Sequence, residues 1–316
     1  MFIDSFKQHF ESVADPRQSA KVTYPFFDIL FGSLCAVIAG AHGWFDIREY
    51  LLGHHKWFLE LGMFKAGIPA DDTIARTISA IKPEQFQACF LKWMAAVHTL
   101  TQGELVAIDG KTLRGSYNRE DRSSTIHMIS AYATANKLVL GQLKTDKKSN
   151  EITAIPELLQ LLDLQGALVS IDAMACQTKI AKTIIEQKGD YLLAVKGNQG
   201  NLSKAVQQAF SALRNDASSL EALQTEKKHG RIESRLCQVL DASTLEGNFS
   251  RWKGLKTLAM ITSFRTEKGK PVSMEYRYYI SSRIMSAEQV ASAVREHWAI
   301  ESMHWVLDVS MQEDAC

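Results

Sequence analysis

Asp109 closes a short apolar run, Leu105-Val-Ala-Ile108, and Gly110 follows it at once. A run of this length with β-branched members reads as a buried strand. A carboxylate at the end of a buried strand is costly unless something pairs with it, and a bound metal is the usual reason to place one there. The pattern returns at Leu168-Val-Ser-Ile171, which runs straight into Asp172. Two strands that each deliver an acid at the same end can bring those acids together.

Composition bounds what surrounds them. A chain of 316 residues, 46% hydrophobic and 22% charged, fits about two globular domains. The formal net charge is +1, so any nucleic-acid partner requires basic residues clustered locally. Five scattered cysteines, with no CxxC pair, exclude a zinc-ligand pattern and agree with a reduced, cytoplasmic protein. The start is too polar for a signal peptide. The most apolar run, residues 29–41, is too short to span a membrane.

The elements that must position the two acids follow in order. Residues 1–98 read as an all-α module. Phe2, Phe6 and Phe10 recur at helical spacing, Ile47–Leu61 forms one helix, Asp71-Asp-Thr73 can cap a helix over 73–81, and Pro83 starts another. From Leu105 the pattern changes. Strands are expected at 105–108, 126–134 and 137–143, a helix at 152–162, the second acid strand at 168–171, a helix at 180–188, a strand at 190–195 and a helix at 202–214. The order β-β-β-α-β-α-β-α is that of a ribonuclease H-like fold, with the first and fourth strands side by side. Residues of about 219–281 break the alternation with strands at 231–239, 255–264 and 272–280, joined near 267–270 by a hairpin turn, and read as a β-rich insertion. A helix capped by Ser286 then carries Trp298, Glu301, Trp305 and Asp308.

Taken together, the motifs resemble those of the DDE-type insertion-sequence transposases of the H-repeat-associated (ISAs) group. They are Asp-Pro-Arg (15–17), Gly-Ile-Pro-Ala-Asp-Asp-Thr (67–73), Ala-Ile-Asp-Gly-Lys (107–111), Lys-Ser-Asn-Glu-Ile (148–152), Ile-Asp-Ala-Met-Ala-Cys-Gln (171–177), Leu-Ala-Val-Lys-Gly-Asn-Gln (193–199), His-Gly-Arg-Ile-Glu-Ser-Arg (229–235) and His-Trp-Ala-Ile-Glu-Ser (297–302). The resemblance implies an α/β fold: a ribonuclease H-like catalytic core over 99–316, carrying the β-rich insertion, preceded by the helical domain. It implies Asp109, Asp172 and Glu301 as catalytic acids and metal ligands. The cofactor would be Mg2+, with Mn2+ as a substitute. The substrate would be double-stranded DNA bearing terminal inverted repeats, held by a homodimer, with no membrane involved.

Basic and amide side chains beside the acids are the candidate DNA contacts: Lys111, Arg114, Lys196, Asn198, Gln199, His229, Arg231, Arg235, Arg295 and His297. Each is otherwise a solvated surface group. Trp298 and Trp305 are expected to pack the acid helix on the sheet, and Cys176 to be small packing rather than a nucleophile. Family members generally continue beyond the equivalent of Cys316 into a basic helical tail, which implies a C-terminally truncated chain. The expected function is metal-dependent DNA cleavage and strand transfer at element ends. The alternatives are a silent remnant that only binds DNA and a nuclease without strand transfer.

Overall fold

The computed structural model describes residues 2–18, 22–98, 103–116, 125–145, 151–213, 220–228, 231–267 and 271–315. It divides into two compact units. One comprises residues 1–98, 114–116 and 304–316, the other 99–113 and 117–303.

The described residues of the first unit's 1–98 part form six α-helices: α1 (Phe2–Phe10), α2 (Phe26–Ile38), α3 (Trp44–Gly53), α4 (His55–Glu60), α5 (Asp71–Ser79) and α6 (Pro83–Val97). The single helix expected over 47–61 is two, broken at His54. The expected cap at Asp71–Thr73 is also different. Ala70 is the N-cap, and Asp71 and Asp72 lie in the first turn, where their charge faces the positive end of the helix dipole. Aromatic rings dominate the core. Phe6 stacks on Phe10 with centroids 4.2 Å apart, and both meet the Trp93 ring edge-on. The Asp-Pro-Arg motif is a turn clamp: the Arg17 guanidinium donates to both carboxylate oxygens of Asp15 and to the Tyr24 carbonyl.

The second unit is a mixed α/β structure around one nine-stranded, mostly antiparallel sheet. Its strands are β1 (Leu105–Leu113), β2 (Ile126–Ala133), β3 (Leu138–Thr145), β4 (Leu168–Ile171), β5 (Asp190–Val195), β6 (Leu220–Lys228), β7 (Arg231–Asp241), β8 (Thr257–Glu267) and β9 (Ser273–Ser281). Their order across the sheet is β3-β2-β1-β4-β5-β9-β8-β7-β6. Only β1, β4 and β5 run parallel. The β-rich stretch is therefore not a separate layer. Its last strand, β9, pairs antiparallel with β5 and carries the sheet onward.

Strand β6 escapes the sequence reading. Leu-Glu-Ala-Leu-Gln-Thr-Glu-Lys-Lys favours a helix by intrinsic propensity, but a full register with β7 decides otherwise.

Helices α7 (Glu151–Gln160), α8 (Thr178–Glu186) and α9 (Gly200–Leu213) pack against β2, β3, β5 and β9. Helix α10 (Ala287–His297) packs against β1, β4, β6, β7 and β8, burying Val290, Ala291 and Ala293 on Leu105, Leu168, Leu192 and Cys237. Ser286 caps α10 in a reciprocal capping box with Gln289. The helix expected to continue from Ser286 through Asp308 is two. Trp298 closes α10 through a tightened bond from its amide to the Arg295 carbonyl, and α11 (Ala299–Val309) starts afresh. Among the described residues, no helix is long and apolar enough to cross a membrane.

Candidate active site

The site begins with register. In β1 and β4, Leu105 lies beside Leu168, Ala107 beside Ser170 and Ile108 beside Ile171. One step further in the same direction come Asp109 and Asp172. Neighbouring strands lie about 4.8 Å apart, so Asp109 stands beside the end of β4, where Asp172 follows; the strand expected over 105–108 does not stop at Asp109 but runs on to Leu113, paired with β2. Side chains alternate across a sheet. Val106, Ile108, Val169 and Ile171 are buried on one face. Ala107, Asp109, Ser170 and Asp172 share the other.

That second face is the one α10 and α11 cover. The Ser170 hydroxyl lies 2.8 Å from His297 Nδ1, in the last turn of α10. Ile300, wholly buried, packs on Ala107 and Tyr132. Glu301 follows directly and is exposed. Asp172, Glu301, Ser170, Lys196, His297 and Trp298 line one cavity of about 260 Å³. Burial lowers the His297 pKa below its ordinary value, while the neighbouring Asp172 charge works in the opposite direction.

Local bonds hold the loop that carries Asp172. Its carboxylate accepts from the Met174 amide at 3.0 Å and caps a short 3-10 turn over Ala173–Ala175. Asn198 Nδ2 donates to the Ala173 carbonyl at 2.7 Å, and Gln199 Nε2 to Gln177 at 3.2 Å. Thus Asn198 and Gln199, candidate DNA contacts by sequence, tie the loop after β5 to the loop after β4. Lys196 remains exposed at the cavity rim. Beside Asp109 in the β2 register stands Ser130, which accepts a 3.0 Å hydrogen bond from Gln142.

The other sequence candidates fall in several places. Lys111 lies two residues beyond Asp109 on β1, on the same side of the sheet. Arg114 belongs to the first unit, where its amide donates to Asp314 at 3.1 Å. Arg235 pairs with Glu233 and stands 3.8 Å from Glu226, and Arg295 pairs with Glu226 at 2.6 Å. Arg231 begins β7, in backbone register with Lys228, and its side chain lies outside the described residues. His229 lies outside the described residues, as do residues 146–150 and 268–270.

Trp298 is 45% exposed and meets the sheet through the Arg277 guanidinium of β9, 5.5 Å from its ring centroid. Trp305 is 62% exposed. Ile300, wholly buried, packs the start of α11 on Ala107 and Tyr132. Cys176 is fully buried, and burial pushes its thiol up to about 12, as a packing group requires.

The sequence reading passed over Ser170 and the pair Glu275–Arg277. Glu275 and Arg277 alternate with tyrosines along β9 and look like an ordinary polar face. Only the pairing of β9 with β5 brings them to the cavity.

The donor chemistry fits a hard divalent cation. Asp109 and Asp172 would supply carboxylate oxygens from the paired strands β1 and β4, and Glu301 lines the same cavity as Asp172. Among the described residues, no three His, Cys, Asp or Glu side chains are gathered closely enough to ligate one ion together.

The site is thus one of acids on neighbouring strands of a mixed sheet, with Lys196 at its rim. Comparison with known proteins gives the particular family. The Transposase DDE domain matches residues 100–316, and the DDE_Tnp_1-associated domain matches residues 7–94. The chain belongs to this family of DDE-type insertion-sequence transposases.

It is 47% identical to the "H repeat-associated putative transposase YhhI" of Escherichia coli K12, over all of this chain and 85% of that protein. It is 48% identical to the "Putative transposase YncI" of Escherichia coli O157:H7, over all of this chain and 82% of that one. A third relative, the "H repeat-associated putative transposase YbfD" of Escherichia coli K12, is 47% identical over 76% of this chain and 96% of its own length.

Proposed function

We propose that this chain cuts and rejoins DNA strands at the ends of a mobile element, using Asp109, Asp172 and Glu301 on a ribonuclease H-like core formed by residues 99–316. One observation supports the reading: Asp109 within β1 and Asp172 just after β4 occupy the next register step of a parallel strand pair, on the face that α10 and the start of α11 cover. The strand order β3-β2-β1-β4-β5 and the helices packed on the sheet support the core assignment.

Asp109, Asp172 and Glu301 would hold a divalent ion, Mg2+ with Mn2+ as a substitute. When bound, such ions activate the attacking oxygen and stabilise the leaving one. The protein's own contribution is placement. The β1–β4 pair would set the spacing of two carboxylates, and Ile300, the residue before the third, would anchor it. Lys196 would draw a phosphate to the rim as a point charge. Lys111 and Arg231 would add positive charge for the duplex, and the chain would act as a homodimer joining two inverted-repeat ends.

The direct test is cleavage and joining of a labelled element-end duplex in Mg2+ or Mn2+ by the full chain and by Asp109→Asn, Asp172→Asn and Glu301→Gln. The expected result is loss of cleavage by about 100-fold or more in all three, with DNA binding retained. Undiminished cleavage in any one removes that acid from the site. DNA binding by the wild type without cleavage in either metal would favour a silent DNA-binding remnant.

A further inference from the structure

A second cavity, of about 570 Å³, lies between β7–β9 and α10, and its lining includes Arg235, Arg265 and Arg295. It shares Glu275, Arg277, Tyr279, Val294 and Trp298 with the carboxylate cavity, so the two adjoin along that wall. Each of the three arginines is held by a carboxylate. Glu226 meets Arg295 at 2.6 Å and Arg235 at 3.8 Å. Glu233 meets Arg265 at 3.0 Å and also pairs with Arg235. Arg235 Nη1 is buried and makes no hydrogen bond. This cavity would carry strong positive charge if its guanidiniums were free. Here it is nearly neutralised from within.

We propose that this groove is a track for the DNA backbone, held closed electrostatically by Glu226 and Glu233 until phosphates displace them from Arg235, Arg265 and Arg295. This rests on the DNA-cutting reading above. Guanidinium forks bind phosphate and carboxylate with the same bidentate geometry, so one anion can replace the other without rebuilding the groove. Arg295 and Arg265 are partly exposed, at 43% and 52%, and ion pairs with that access to solvent are weak, whereas Glu233, at 14%, is held more deeply. A phosphodiester backbone, offering many charges in a row, can therefore displace them. The latch weakens binding to arbitrary DNA, because each displaced carboxylate must regain a counterion. It leaves the arginines available to a duplex already engaged elsewhere.

The test is fluorescence anisotropy of the full chain with a labelled duplex of arbitrary sequence, from 50 to about 300 mM KCl. Glu226→Gln/Glu233→Gln is expected to tighten binding about threefold to tenfold and to steepen the slope of log Kd against log salt by about one to two. Glu221→Gln/Glu246→Gln removes the same charge from other exposed positions and is expected to change neither. Adding Arg235→Gln and Arg295→Gln to the first variant should reverse its gain. If the double variant does not fold, Glu226→Gln alone carries the same test, since it frees Arg295. Wild-type binding with no gain in the variant, or an equal gain in the charge control, overturns the latch alone. No DNA binding by any of these proteins overturns both the latch and the DNA-cutting reading.

Discussion

The Ser170 hydroxyl and His297 Nδ1 stand 2.8 Å apart, which fastens the last turn of α10 to β4 two residues before Asp172. Burial keeps the imidazole below its ordinary value of 6.5, against the pull of Asp172. As pH falls, the unfolded chain therefore takes up this proton before the folded one does. The contribution to stability is complete above about 6.5 and is lost as pH drops through the lowered folded value. Urea denaturation between pH 7.5 and about 5 should show stability declining toward acid in the wild type, and His297→Gln should flatten that decline.

Ile300 is fully buried against Ala107 and Tyr132 and precedes Glu301. Ile300→Ala should cost about 2–5 kcal/mol by leaving a cavity. It should also lower cleavage beyond what the loss of folded protein explains, because the residue that seats Glu301 is gone. Chemical denaturation and cleavage per folded molecule, measured side by side, separate the two effects.

Asn198 should behave as a positioning residue. Its amide holds the Ala173 carbonyl at 2.7 Å, next to Asp172. Asn198→Ala is expected to lower cleavage about tenfold through a loosened Asp172 loop, with DNA affinity unchanged within about twofold. An affinity loss matching the activity loss would return Asn198 to the DNA contacts.

In the helical unit, Gly32 leaves no space for a methyl group: a Cβ there would lie 2.7 Å from Leu51 Cδ2 and 2.8 Å from Phe64 Cζ. Both neighbours are fully buried, so Gly32→Ala should destabilise by about 1–3 kcal/mol through overpacking. Nearby, Asp28 accepts from the Phe64 amide at 2.7 Å, and burial raises its pKa. Asp28→Asn keeps an acceptor without the buried charge and should be neutral or stabilising at pH 7. Asp28→Ala leaves the amide unsatisfied and should cost about 1–3 kcal/mol. Thermal and urea melts of the three variants check the order.

Much of this protein is set by local chemistry. The strand-then-acid pattern at Asp109 and Asp172, the helical start, the change of period at Leu105 and the Ser286 cap are all one-dimensional signals. They depend on side-chain period and capping, which act within a few residues. The family was legible because many short motifs keep their order and spacing along the whole chain.

Other features depend on partners far away in the sequence. Strand β6 has helix-favouring residues and becomes a strand only because β7 offers it a ladder. The break at Trp298 shows no Gly or Pro, and burial of Ile300 goes with it. Arg235 and Arg295 read as open DNA contacts, yet ion pairing to Glu226 depends on α10 crossing β6 and β7. Asn198 read as a phosphate ligand, yet its amide meets a carbonyl 25 residues earlier. Sequence determines which residues carry charge and which segments have a strong side-chain period. Tertiary structure decides which charges meet, because hydrogen bonds and ion pairs form between groups whose separation in space is independent of their separation along the chain.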